Sequence, residues 1–285
     1  MKLAMDVGVP AVTFLIMTIV GLDLTRADFE RVRSRPRILA AGLLGPLVLL
    51  PPVALAVLSA VPMPDETRAG LLLLAVCPVG GISNTYNYLA RASTALSVTL
   101  TAASCLLAVV TMPLLTRVFE AVMGRPFGFR APAGPLAAQI LLMLVLPVAV
   151  GMTIRSRAPG LAARYEAAFR RAASLSIALL LGFIVWSEWT RFVANFAVSA
   201  GAAALFVVLA MAAGGLAAVA AGADRRERFT LSVEFATRNT AIAAAVAITL
   251  LGDTRFAVFA TTYFVTEAVP LLAAVGLFRL GSRVP

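Results

Sequence analysis

Nine stretches of about 20 mostly apolar residues constrain this chain more than any other feature, because that is the length of an α-helix that crosses a bilayer. They lie at about 5–24, 38–60, 69–90, 93–116, 135–154, 173–190, 196–221, 229–251 and 256–278. Of the 285 residues, 61% are hydrophobic and 13% are charged, whereas a soluble domain is about half apolar and about a quarter charged. The sequence therefore predicts an all-α polytopic membrane protein with about nine transmembrane helices.

The distribution of basic residues predicts how these helices are oriented. If segment 25–37 is cytoplasmic, 16 of the 24 Lys and Arg residues lie on the cytoplasmic side and seven on the other, with Arg238 inside a span. Cytoplasmic loops are the ones richer in Lys and Arg, so we expect the amino terminus outside and the carboxy terminus in the cytoplasm. Trp186 and Trp189 then lie at the outer interface, where aromatic residues are common. The net charge of +10 thus reflects topology and indicates no nucleic-acid partner. We expect a multi-pass protein of the cell membrane, the inner membrane in a bacterium.

Residue content argues against an enzyme or a cofactor protein. The chain has no histidine, and its two cysteines, Cys77 and Cys105, lie in apolar runs. These facts exclude His-based catalysis, His-ligated metals and a disulfide framework. Neither an HExxH motif nor the aspartate-rich motif of prenyl-transfer enzymes is present. We expect no catalytic residues and no cofactor.

The third span contains a helix-breaking sequence followed by polar side chains. Pro78 lacks an N–H and disfavours helix at Cys77, and two glycines follow at 80 and 81. Irregular backbone at membrane depth is tolerated only where it is buried in protein or lines a cavity. A simple kink at a helix crossing is the alternative. A functional break is favoured by the polar residues that come next, which are Ser83, Asn84, Thr85 and Asn87.

The eighth span carries two ionisable residues, Glu234 and Arg238, four positions apart. Charged side chains inside a membrane are costly and usually functional. A self-contained ion pair would explain the two charges, but it would not explain the polar residues Thr237, Asn239 and Thr240 beside them.

The two polar segments occupy corresponding places in the chain. Residues 83–85 and 238–240 each lie in the third span of a four-span block, and the blocks begin on opposite sides of the membrane. This arrangement predicts an inverted repeat, as in secondary transporters.

Span 4 carries two hydroxyl residues, Ser97 and Thr101, on one helix face. They could belong to a binding site. The alternative is that each hydroxyl donates a hydrogen bond to a carbonyl of its own helix.

These motifs resemble the bile acid:sodium symporter family, and the resemblance covers nearly the whole chain. It is carried by GLDLTRADF (21–29), by Pro36, Gly42 and Pro51 in span 2, by CPVGGISNTYNYLARASTALSVTLTAAS (77–104) and by VEFATRNTAIAAA (233–245). The resemblance implies the nine-helix form. It also implies a core domain at about 38–116 and 196–279, in which spans 3 and 8 are broken and cross, and a panel domain at about 5–24 and 135–190.

The resemblance implies sodium sites near the crossing. The first would use Ser83, Asn84, Ser97, Thr101 and Glu234, and all five positions carry the expected residue type. Oxygen ligands with one carboxylate suit a small hard cation, and no metal other than sodium is expected.

The second sodium site is degenerate in this sequence. It would use Glu234, main-chain oxygens near Phe235 and Thr237, and two glutamines, which are replaced here by Pro46 and Arg238. Neither replacement offers a side-chain oxygen. We therefore expect at most one sodium ion per cycle, with the Arg238 guanidinium supplying the positive charge. The alternatives are that Arg238 only pairs with Glu234 or Glu267, or that it holds the substrate carboxylate.

The resemblance implies sodium-coupled symport of a small organic anion of the bile-acid-like, pantoate or 2-oxo acid class, by alternating access. The alternative is a sodium-independent or proton-coupled anion carrier or effluxer of the same fold, like arsenite or auxin effluxers. The expected partners are the anion, sodium and the lipid bilayer; the oligomeric state is not predicted. Candidate substrate-binding residues are Thr85, Asn87, Arg238, Asn239, Thr240 and Glu267. Glu267 has three possible roles: it could pair with Arg238, relay a proton, or lie in a polar crevice.

Overall fold

The computed structural model describes residues 2–22, 30, 35–123 and 133–281, and these are helical almost throughout. Within these ranges the helices are α1 (Lys2–Leu22), α2 (Pro36–Ala60), α3 (Asp65–Val76), α4 (Ile82–Ala90), α5 (Thr94–Met123), α6 (Ala133–Ile140), α7 (Leu146–Arg157), α8 (Pro159–Ser187), α9 (Trp189–Ala220), α10 (Arg225–Ala236), α11 (Thr240–Ala245) and α12 (Thr254–Leu280). Short π-helical turns continue α6 over Leu141–Val145 and α11 over Val246–Leu250. Most of the predicted cytoplasmic segment 25–37 and residues 124–132 lie outside the described residues.

Five helices in the described ranges are long and apolar enough to cross a membrane, namely Pro36–Ala60, Thr94–Phe119, Gly134–Arg157, Trp189–Ala220 and Thr254–Leu280. Shorter apolar helices are Val7–Leu22, Ala178–Ser187 and Thr240–Leu250. The protein is therefore an all-helical, multi-pass membrane protein. The total of nine spans and the inverted repeat stay predictions.

The predicted break in the third span is confirmed. Helix α3 ends at Val76, and Cys77 is extended, with φ −64° and ψ 152°. This is the conformation that a residue before proline prefers. Helix α4 begins at Ile82, so the predicted span 69–90 consists of two helices joined by an irregular segment.

The eighth span is also broken, as the resemblance and the symmetry of the two segments predict. Helix α10 ends at Ala236, and Thr237 is extended, with φ −87° and ψ 104°. Asn239 then starts α11, because its side chain accepts a hydrogen bond from the Ile242 N–H at 3.0 Å. Asparagine is among the preferred residues for this capping position.

Two sets of helices pack closely together. Helix α9 packs against α2, α10 and α12, and α1 packs against α7 and α8. The crossing of α1 and α7 is close: a Cβ at Gly21 would lie 2.2 Å from Val148 O, and one at Gly151 would lie 2.1 Å from Thr18 O. The division into core and panel domains stays a prediction.

Charged residues gather in two separate groups near helix ends. In one group Arg35 binds Glu227 at 2.8 Å, and Glu227 also completes a capping box with Asp224. In the other, Glu188 accepts hydrogen bonds from Arg191, at 3.0 Å, and from Thr254. The first group consists of residues predicted to be cytoplasmic and the second of residues predicted to be outside. Which group faces the cytoplasm stays a prediction.

Candidate functional site

The two helix breaks lie side by side and pair through their backbones. The Gly80 N–H donates to Thr237 O at 3.1 Å, and the Asn239 N–H donates to Pro78 O at 2.9 Å. Val79 and Arg238 thereby form an isolated antiparallel bridge. A Cβ at Gly80 would lie 2.7 Å from Arg238 O, so this approach requires glycine. The pairing satisfies backbone groups that would otherwise be costly at membrane depth.

Side chains from neighbouring helices satisfy further backbone groups at the breaks. Ser104 Oγ accepts from the Val79 N–H at 3.2 Å. The Tyr263 hydroxyl donates to Ala236 O, the last carbonyl of α10. Our reading of the sequence missed both residues. The available signal for Tyr263 was a tyrosine inside an apolar span, since a buried hydroxyl usually finds a partner.

Glu234 is completely buried and is surrounded by polar side chains from α4 and α5. Its Oε1 accepts from Ser97 Oγ at 2.5 Å and from Asn87 Nδ2 at 3.2 Å. Its Oε2 accepts from Thr101 Oγ1 at 3.4 Å. Because the helix breaks and α5 converge here, three chain segments that are distant in sequence contribute to one cluster.

Several oxygen atoms lie close together in this cluster. Ser97 Oγ is 2.7 Å from Asn84 Oδ1 and 2.5 Å from Glu234 Oε1, yet a hydroxyl carries one proton. Ser83 Oγ lies 3.5 Å from Ser97 Oγ and 3.3 Å from Thr101 Oγ1. The second short contact of Ser97 therefore requires either a proton on the Glu234 carboxyl group or a cation among the oxygens.

The structure thus brings together the five residues predicted for the first sodium site, Ser83, Asn84, Ser97, Thr101 and Glu234. It also places Asn87 against them: its Nδ2 contacts Ser83 O at 3.0 Å and Ser97 Oγ at 3.1 Å, in addition to Glu234. The sequence had pointed to Asn87 as a substrate ligand, and that role stays a prediction. Sodium binding by this cluster also stays a prediction.

Arg238 forms neither of the ion pairs considered for it. Its Nη2 donates to Cys77 O, while Nε and Nη1 have no hydrogen-bond partner among the described residues. The same holds for both carboxyl oxygens of Glu267, although the residue is completely buried. An ion pair of Arg238 with Glu234 or Glu267 is therefore absent from the part of the chain that the structure describes.

Of the residues expected at the degenerate second site, Pro46 lies close to Arg238, because both line the same small cavity. The Phe235 ring lies against Gly45, where a Cβ would be 2.7 Å from Cζ. Thr237 is buried, and its Oγ1 has no hydrogen-bond partner among the described residues.

The remaining substrate candidates are not gathered around one point. Thr85 is exposed on α4. Asn239 is buried, and its Nδ2 lies 3.6 Å from Met17 Sδ on α1. Thr240 is 7% exposed at the start of α11. Asn239 and Met17 nevertheless place the second break next to α1.

The model of the "Sodium Bile acid symporter family" matches residues 10–220, which is well over half of the chain. The protein belongs to the sodium bile acid symporter family. The match includes the first break with Ser83, Asn84, Ser97 and Thr101, and it ends before Glu234.

Relatives within this family carry transporter names. The chain is 27% identical over 259 residues to "Probable sodium/metabolite cotransporter BASS1, chloroplastic" of Arabidopsis thaliana, covering 91% of this chain and 63% of that protein. It is 31% identical over 141 residues to "Uncharacterized sodium-dependent transporter YocS" of Bacillus subtilis, covering 50% of this chain and 42% of that protein. The chain thus spans less than two thirds of the length of each. These relatives are transporters and not enzymes, and the family is sodium-coupled.

Proposed function

We propose that this protein is a sodium-coupled symporter of a small organic anion. The observation that carries the proposal is the Glu234 cluster, in which one buried carboxyl group meets hydroxyl and amide oxygens from α4 and α5. One negative charge among neutral oxygen ligands matches a monovalent hard cation. Burying a carboxylate without a compensating charge is costly, so cation binding would stabilise this arrangement.

The cargo would bind near the paired breaks. Helices α4 and α11 both begin there, at Ile82 and Thr240, and helix amino termini favour anionic groups. Asn239 and Thr240 would face the cargo from the second break. Met17 and the buried, unpartnered Thr13 hydroxyl would face it from α1. A carboxylate of the bile-acid-like, pantoate or 2-oxo acid class fits this chemistry.

Transport would proceed by alternating access between a core and a panel domain. The core would comprise residues 38–116 and 196–279 and the panel residues 5–24 and 135–190. The packing of α1 on α7 and α8, and of α9 on α2, α10 and α12, supports this division. The protein would lie in the cell membrane with its amino terminus outside.

The test is uptake of labelled organic acids into proteoliposomes. An inward sodium gradient should drive accumulation, and an equal potassium gradient should not. Glu234→Gln should abolish the sodium effect. Asp65→Asn, which changes an exposed carboxylate at the start of α3, is the matched control and should transport normally. Equal uptake in both gradients by the wild-type protein would refute sodium coupling.

Proton coupling is the second candidate, and Glu267 is the observation that favours it. This carboxyl group is completely buried in α12, and no donor from the described ranges contacts either oxygen. A group in such surroundings could bind and release a proton as the protein changes conformation. Uptake driven by a pH gradient in sodium-free buffer, and lost in Glu267→Gln, would support this candidate over the first.

A further inference from the structure

The Arg238 guanidinium is a buried cation with most of its hydrogen-bonding capacity unused. The residue is 4% exposed. Of its five N–H groups, the structure pairs one, which donates from Nη2 to Cys77 O. Nε and Nη1 have no acceptor within the part of the chain that the structure describes. One acceptor on Nη2 leaves at least one complete edge of the planar fork open, because Nη2 carries a second N–H. That edge can grip an anion.

Arg238 lines a small cavity. Its volume is about 20 Å³, and its walls come from α2, α5 and the first break. Pro46, Cys77, Ser104 and Thr111 line it together with Arg238, which is the one charged residue among the described residues that line it. A cavity of about 10–15 Å³ already holds a water molecule, so there is room for a monatomic ion or the end of a carboxylate.

The charge of Arg238 is balanced only from a distance. Glu234 is within electrostatic reach of it, but both oxygens of that carboxylate accept hydrogen bonds from Ser97, Asn87 and Thr101 instead. Without a bound cation the two charges sum to zero. A monovalent cation at Glu234 neutralises the carboxylate and leaves the guanidinium without a counter-charge in a low-dielectric setting, where the cost of an unbalanced charge is high.

We propose that Arg238 and this cavity form a binding site for a monovalent anion, and that a cation bound at Glu234 raises the affinity of this site. The second half rests on the cation site of the proposed function. The ligand is either a halide or the carboxylate end of the cargo. Both would accept hydrogen bonds from the open edge of the guanidinium.

Thermal unfolding of the purified full chain tests the linkage, because a ligand that binds the folded state raises its unfolding temperature. Chloride is titrated in sodium and, separately, in potassium, with isethionate as the balancing anion. We expect the apparent chloride affinity to be at least about fivefold higher in sodium, the lower end of usual coupling between two sites. A chloride response that is identical in sodium and potassium overturns the linkage.

Two variants assign the effect to named side chains. Arg238→Gln keeps a donor for Cys77 O but removes the charge, and it should lose the chloride response while keeping sodium stabilisation in isethionate. Glu234→Gln imitates the neutralised carboxylate, so its chloride affinity should be high and the same in sodium and potassium. Arg255→Gln, at an exposed arginine paired with Asp253, is the matched control and should respond as the wild-type protein does. A chloride response that survives in Arg238→Gln overturns the site.

A second measurement uses the wild-type protein alone, in case a variant does not fold. Crystals grown in sodium bromide should show an anomalous scattering peak beside Arg238, and its absence overturns a halide site. A parallel titration with acetate distinguishes a carboxylate ligand from a halide. If acetate raises the unfolding temperature as much as chloride does, the site is assigned to the cargo carboxylate. If only chloride raises it, the site is assigned to a halide. If sodium in isethionate does not raise the unfolding temperature, the result counts against the cation site. If sodium does raise it but neither chloride nor acetate does, the result counts against the anion site only.

Discussion

The Ser97 hydroxyl links Glu234 on α10 to Asn84 on α4, with Oγ 2.5 Å from Glu234 Oε1 and 2.7 Å from Asn84 Oδ1. These two acceptors belong to the two broken spans, and α5 supplies the oxygen between them. The cluster therefore forms only when both breaks and α5 are in place. Substitution of Ser97 should therefore change the affinity of the cluster for a cation.

Ser97→Ala should weaken sodium binding by about tenfold, comparable to the lower end of losses when groups that support metal ligands are removed. The expected cause is the loss of one oxygen from the cluster. Sodium titrations of unfolding temperature and of uptake measure the effect. Ser59→Ala, which removes a hydroxyl bonded to Ala56 O on α2, should leave both titrations unchanged. An unaltered sodium midpoint in Ser97→Ala would argue against the site.

Asn84→Ala and Glu234→Ala should abolish sodium-driven uptake while the protein still folds. Both remove side-chain oxygens that belong to the cluster. Uptake is measured beside expression level and monodispersity, because loss of one buried partner can cost about 3–5 kcal/mol. If Asn84→Ala transports with normal sodium dependence, the site is misassigned.

Transport should couple to at most one sodium ion per cycle. At the degenerate second site, Pro46 and Arg238 line one cavity and neither offers an oxygen ligand. The guanidinium carries a permanent positive charge where a second cation would otherwise lie. A Hill coefficient near one for sodium is the expected result. Two sodium ions per substrate, counted from the reversal potential, would contradict it.

Gly80→Ala should destabilise the protein by about 1–3 kcal/mol, the usual cost of overpacking. The new methyl group would lie 2.7 Å from Arg238 O, which would push the two breaks apart. Gly201→Ala in α9 meets no atom within 4 Å and should be neutral or stabilising. Thermal unfolding compares the two variants. Equal stability would mean that the breaks tolerate separation.

Single cysteines introduced in intact cells should report the orientation. Positions in 61–68 and 118–134 should react with a membrane-impermeant reagent, and positions in 155–172 should not. The reason is the excess of Lys and Arg in the segments assigned to the cytoplasm. Reaction of 155–172 from outside would reverse the topology.

The sequence predicted the architecture of the site better than its hydrogen bonds. Pro78 and the glycines after it determine the first break, because their backbone preferences are local and can be predicted from the sequence. The second break lacks proline and glycine, and its prediction rested on the family resemblance and on the symmetry with the first break. The contact of Arg238 with Cys77 O was not predictable, because it depends on how two segments 161 residues apart meet. Tyr263 was missed for the same reason: its carbonyl partner, Ala236, lies on another helix.

The pairing of the two breaks has a consequence for how such a site can diversify. Gly80 and Asn239 hold the segments together through main-chain atoms, so the register of the crossing does not depend on which side chain stands at 79 or 238. Substitutions at those positions can alter charge and ligand preference without dismantling the scaffold. The side chain at position 238 could then change while the backbone around it stays the same. Related chains could change their ion and cargo preferences by single substitutions at this position.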